Sequence, residues 1–344
     1  AALLIAGAAS IASRSPAQEP VRETVAVSRV EVTLHVTDRS GSPIQGMEYR
    51  EFSLLIDGQR VPIESVEWVS STGDATAAPS REIRTGEPTP LPAPLGRLIV
   101  MVFQREVGGQ KEEGLMRMKR QALEFVDSLK PEDKVSVLAM GGRLWLRLDF
   151  TADRGSIRKA IGGVFRQEDV ARVADPPQPS IAARLSLEDE RGASSIEKAL
   201  LAIGRALRPL QGSKAVLFFG WGVGRWNALA QSGDYHLGNV IYSDEFERAR
   251  EALSAAQAPV FTLDVSSGQH PLQEALRKLS FETGGFYVPT YQFPGWAMQR
   301  VASAITGHYV LVFAKPARGP GVHKIEIRTP RADAALLYRQ SYED

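Results

Sequence analysis

The residues best placed for chemistry stand at the ends of apolar runs. Leu98-Ile99-Val100-Met101-Val102-Phe103 reads as a buried parallel strand, and Gln104-Arg105-Glu106-Val107-Gly108 follows it at the end where an open α/β sheet places its ligand. A second run, Ala215–Phe219, leads into Gly220-Trp221-Gly222-Val223-Gly224, which lacks both the dinucleotide-binding spacing and an immediate helix. Between Gly220 and Tyr242 lie Trp221, Arg225, Trp226, Tyr235, His236 and Tyr242. Trp, Tyr and Arg dominate interface energetics, so this stretch reads either as a recognition surface or as aromatics packed under their own loop. Ser194-x-x-Glu197 has the form of a capping box opening a helix.

Other reactive types are unpromising. The five histidines (35, 236, 270, 308 and 323) show no metal-ligand spacing, and surface or edge positions explain those on or beside strands. Glu132-Asp133 and Glu188-Asp189-Glu190 read as solvated faces rather than an acid–base pair. Neither a nucleophile elbow nor a P-loop occurs. The chain has no cysteine, which excludes disulfides, thiolate catalysis and Cys-ligated metals. Its formal net charge of +1, with Lys and Arg dispersed, offers no field for nucleic acid. Residues 1–12 form a small-residue apolar run with signal-peptide character, followed by small residues at cleavage spacing. An exported protein is the expectation, and membrane association through residues 1–12 is an alternative.

These residues need elements to hold them. Val30–Val36 alternates apolar and polar as a half-buried strand does, and Asp57-Gly58 marks a hairpin whose return strand runs through Val61–Val69. Residues 71–96 are rich in Ser, Thr, Ala, Pro and Gly and read as a linker. From Leu98 onward strands and helices alternate. Helix Glu112–Leu129 precedes two strands joined at Gly141-Gly142, then come helix Ser156–Val164 and a long surface loop, Phe165–Gly192. Helix Ser195–Leu207, strand Ala215–Phe219, helix Ser243–Gln257, strand Pro259–Val265 and helix Leu272–Thr283 follow, the last closed by Gly284. After Gly295–Ile305, β character returns through His308–Phe313, Lys324–Arg328 and Leu336–Arg339.

In this order, Asp38-Arg39-Ser40-Gly41-Ser42-Pro43-Ile44-Gln45-Gly46, Glu51–Gly58, Leu98–Phe103, Asp149–Arg154, Ala215–Gly222, Leu279–Gly285 and Ser341-Tyr342 resemble the von Willebrand factor A-related proteins of the acidobacterial type, from about Val25 onward. The resemblance implies an α/β fold with a doubly wound, mostly parallel sheet (97–306). The strands of 25–70 and those of 307–344 each lack partners, so they are expected to pair into one small Ig-like β-sandwich with the α/β domain inserted between them, and 1–17 reads as leader or anchor. A separate β appendage at each end is the alternative. That family holds a divalent metal with Asp-x-Ser-x-Ser, a Thr and an Asp. The matching positions are Gln104, Glu106 and Gly108, then Ser194 or Ser195, then Trp221. A hard cation needs several oxygens, preferably anionic. Gln104 offers a neutral one, Glu106 a single carboxylate and Trp221 none. The expectation is therefore a non-catalytic, exported module without metal or cofactor. It would bind a protein, in a cell-envelope complex for instance, through Gln104, Arg105, Glu106, Ser194, Trp221, Arg225 and Trp226. A metal-dependent adhesion module with unconventional ligands and a hydrolase using Glu or Asp are the alternatives.

Overall fold

A computed structural model describes residues 28–70, 96–105, 110–166, 172–228 and 238–343. The amino-terminal part holds strands β1 (Arg29–Thr37), β2 (Ser53–Ile56), β3 (Gln59–Val61) and β4 (Ser65–Ser70). The middle runs β5 (Leu98–Gln104), α1 (Gln110–Asp127), β6 (Lys134–Met140), β7 (Leu144–Thr151), α2 (Arg154–Gly162), α3 (Leu187–Gly192), α4 (Ile196–Leu207), β8 (Lys214–Gly220), β9 (Arg225–Ala228) and β10 (Gly238–Ile241). It continues through α5 (Asp244–Ala255), β11 (Val260–Asp264), α6 (Gln273–Thr283), β12 (Tyr287–Pro289) and α7 (Pro294–Ala304). The carboxy-terminal part adds β13 (Gly307–Ala314), β14 (Val322–Arg328), β15 (Ala335–Tyr338) and β16 (Ser341–Glu343).

The central sheet has the order β12-β11-β8-β5-β6-β7 and is parallel except for β7, which pairs antiparallel with β6 across Gly141-Gly142. All seven residues of β5 are buried, as a strand covered on both faces must be. One face packs Val100, Val102, Val216 and Phe218 under α4, α5 and α6; the other packs Ile99, Met101, Phe103 and Phe219 under α1, α2 and α7. α4 turns Ala199, Leu200, Ile203 and Leu207 inward at spacings of three and four, and each buried Leu or Ile contributes about 1.5–3 kcal/mol.

Strands from the two ends of the chain pair with each other. β1 lies between β13 and β15, β4 adds to β13, and β2 pairs with β14. Two four-stranded sheets, β15-β1-β13-β4 and β16-β14-β2-β3, share one apolar cluster that includes Val32, Leu34, Leu54, Ile56, Leu311 and Ile325. Asp57 (φ 49°) and Gly58 (φ 78°) make the β2–β3 turn, as two left-handed central residues require.

Four expectations are corrected. The run Val61–Val69 is not one return strand: it breaks after Val61, where Pro62 has no N–H to give, and β3 and β4 belong to different sheets. Residues 165–192 are not simply a surface loop. Ser180, Ile181 and Leu185 are buried, α3 closes the segment, and Asp149 holds it by accepting from the backbone N–H of Ile181 (2.8 Å) and from Ser180 Oγ. His35, His308 and His323 are buried rather than surface residues: His35 and His308 meet between β1, β13 and the end of α7, and His323 is covered by Asp57, Gly319 and Tyr342. Asp133 and Glu190 are likewise buried, paired with Arg97 and Arg172.

Candidate functional site

The strand order reverses between β5 and β8. From β5 the chain moves to β6 and β7 on one side, then returns to β8, β11 and β12 on the other. The crevice outside such a switch point is where open α/β sheets bind ligands. Its walls are the carboxyl ends of β5 and β8, held rigidly by stacked Phe103 and Phe219, whose rings lie 4.5 Å apart and 9° from parallel.

Gln104 fills the crevice. It is buried, and its Oε1 accepts from the N–H groups of Trp221 (2.9 Å) and Gly222 (3.2 Å), while its Nε2 donates to the carbonyl of Gly222 (3.0 Å). The carboxamide thus matches one donor and two acceptor demands of a single backbone loop. Glu197, on the first turn of α4 and buried, accepts from Gly224 N–H at 2.6 Å. The same loop is therefore pinned from two sides. The Trp221 ring packs against the α1/α7 face of the core, and Lys111 Nζ stands 3.7 Å from the ring centroid. An ammonium there gains cation–π attraction.

The Gln104 oxygen is directed at two N–H groups, and an indole stands at the third-loop position. Among the described residues, no group of three or more His, Cys, Asp or Glu is arranged to hold a metal ion.

The structure brings Gln104 and Trp221 together, and the other described candidates make separate contacts. Arg105 leaves β5 beside Gly141 and donates from Nη2 to the Phe165 carbonyl (2.9 Å); its Nε and Nη1 are buried without a partner, and burial lowers its pKa, with nearby Arg147 adding to that. Glu106, Tyr235 and His236 lie outside the described residues. Arg225 and Trp226 fall on β9, paired with Ile241 and Val240 of β10, in a hairpin where a loop was expected. Arg225 is exposed; Trp226 is half-buried, with its Nε1 unpartnered. Tyr242 packs on Phe246 and under Lys278.

Ser194 is exposed, and the capping box assigned to it is corrected. Ser195 is the cap, its Oγ accepting from Lys198 N–H (3.3 Å), and Ser194 Oγ accepts from Lys198 Nζ (3.4 Å). Glu197 is drawn to Gly224 and is not available to close a box.

Two buried carboxylates at this end of the sheet were not read from the sequence as part of the site. One is Glu197. The other is Asp264, which ends β11 and accepts from Ser266 N–H (2.9 Å), Tyr287 OH (2.8 Å) and His270 Nε2 (2.8 Å). Burial, with Asp264 beside it, pushes the Tyr287 pKa well up and keeps the phenol protonated as a donor. A carboxylate directly after the apolar run Val260–Leu263 was a readable signal for Asp264. Glu197 had none, because its partner is brought in by tertiary packing.

No family model matches the chain, and no curated protein matches it. Among solved structures the chain is similar to the conserved hypothetical protein BatB of Bacteroides thetaiotaomicron (16% identity, 61% of this chain and 98% of that one, TM-score 0.35). It is also similar to an aerotolerance-related membrane protein of Bacteroides fragilis (15%, 61% and 100%, TM-score 0.39). A von Willebrand factor type A protein of Catenulispora acidiphila covers more of it (9%, 88% and 74%, TM-score 0.43). Among the described residues, no helix is long and apolar enough to cross a membrane.

Proposed function

We propose that this chain is a non-catalytic, exported protein-binding module: a von Willebrand A-like domain whose metal-ligand positions have been rebuilt to hold a loop. We further read the two antiparallel sheets as one Ig-like sandwich that carries this domain as an insert; the pairing of β1 with β13 supports it. One observation carries the functional reading. At the switch point, where a ligand would bind, Gln104 is hydrogen-bonded at both ends of its amide to the Trp221–Gly222 backbone. A crevice closed in this way presents a rim for contact. The β9–β10 hairpin extends that rim with exposed Arg225 and Ile241. The apolar run at residues 1–12 supports export.

A hydrolase would draw on Asp264 and His270. His270 Nε2 is hydrogen-bonded to Asp264, whose carboxylate also accepts from Ser266 N–H and Tyr287 OH, an arrangement that ties β11 to its following loop and to β12.

The chain has no cysteine, so a single introduced thiol gives a unique label. A photo-crosslinker at Arg225→Cys should capture a specific partner from an envelope fraction of the source cells, and the same label at exposed Arg60 should not. Trp226→Ala should abolish the adduct. Capture that requires Mg²⁺ or Mn²⁺, or equal capture from position 60, would overturn the proposal.

A further inference from the structure

Three large exposed aromatics fall within six residues of the chain. Tyr291, Phe293 and Trp296, between β12 and the first turn of α7, are 51%, 66% and 47% exposed. Met116, 50% exposed, lies on α1, which packs against α7. Arg117 sets its guanidinium 5.5 Å from the Tyr291 ring centroid, and its Nε and Nη2 are buried with no hydrogen-bond partner. A surface groove of about 590 Å³ alongside is lined by Glu112, Glu113, Met116, Arg117 and Arg120. Clustered exposed apolar residues mark interaction sites, and Trp, Tyr and Arg are the types that anchor them. Arg117 and Arg120 line the groove, and a guanidinium pairs best with a carboxylate.

We infer that Met116, Arg117, Tyr291, Phe293 and Trp296 form a docking surface for an acid-bearing apolar segment of a partner protein. Its carboxylate meets Arg117, and its apolar side chains cover the three rings. Charge complementarity selects this occupant. Glu112 and Glu113 repel a carboxylate at one end of the groove, so it enters beside Arg117 and Arg120. A peptide can place one carboxylate past those glutamates, whereas an anionic bilayer presents negative charge to all four side chains at once. The surface is separate from Gln104 and Trp221 and does not depend on the reading of that crevice.

The test is selection of random short peptides on the full chain, then titration of the enriched peptide, fluorescein-labelled, by polarisation. Enriched peptides should place Asp or Glu next to Leu or an aromatic residue. Binding should weaken about tenfold or more with Arg117→Ala and with Trp296→Ala. Phe293→Ser should weaken it comparably without harming the fold, since Phe293 is the α7 N-cap position, where Ser is favoured. Raising ionic strength should weaken binding to the parent chain and not to Arg117→Ala. Trp226→Ala should bind as the parent does. Enrichment of peptides without acidic residues, or binding indifferent to all three changes, would overturn the inference. So would Trp296-dependent binding to phosphatidylglycerol vesicles, or Trp296-dependent dimerisation in sedimentation velocity, in the absence of peptide selection.

Discussion

Gln104 shows how much one side chain decides. Its residue type was legible in the sequence, and a neutral amide there led to the expectation of no metal. Its partners were not legible: Trp221 and Gly222 are more than a hundred residues away in the chain. Gln104→Ala would leave two N–H groups and one carbonyl in a buried crevice unsatisfied. The expected loss is about 2–4 kcal/mol of unfolding free energy by urea denaturation. A loss below about 1 kcal/mol would mean that the loop is held by other contacts.

At the scale of elements, the apolar periods located most strands and helices to within a few residues, because burial on a strand repeats every two residues and on a helix every three or four. Gly284, at φ 90°, ends α6 as expected, where a Cβ would also meet the Tyr338 and Arg339 backbone. Failures came where a segment takes its structure from distant groups. The 165–192 stretch is polar and holds Pro176 and Pro177, yet Asp149 anchors it across the end of β7. The capping error at Ser194 makes a sharp test. Ser195→Ala should cost about 1 kcal/mol of stability, while Ser194→Ala should cost less than about 0.5 kcal/mol. Equal effects in thermal unfolding would restore the original assignment.

For the whole molecule, the informative contact is the one between the antiparallel sheets and the α/β body. His35 on β1 is hydrogen-bonded through Nδ1 to the Ala304 carbonyl at the end of α7 (3.0 Å), and its ring lies 6.2 Å from Phe261 of β11 and 5.6 Å from His308 of β13. His35 Nε2 and His308 Nδ1 are buried without partners. Burial lowers the pKa of His35 to about 4; burial, then the charge of His35, lowers that of His308 to about 3. Both lie below the ordinary value of 6.5, so the unfolded chain binds more protons than the folded one as pH falls through 6.5. Stability is therefore full above about pH 6.5, declines between there and about pH 3, and levels off below. At pH 5 the pair should cost on the order of 4 kcal/mol relative to pH 8. His308→Phe should halve that acid-dependent loss in urea midpoints measured across the range. A stability profile flat between pH 7 and pH 5 would show that the rings are not held neutral at this junction.

By itself the sequence determined the alternation of strands and helices, the cysteine-free chemistry and the identity of the residues at the ends of β5 and β8. Those follow from local periodicity and side-chain type, which need no knowledge of distant neighbours. Only the tertiary structure decided that Gln104 and Glu197 close on one loop, and that His35 and His308 meet in the interior. Each of these is a contact between residues far apart in the chain, and a hydrogen bond or a desolvated ring exists only once folding has brought both partners to the same place.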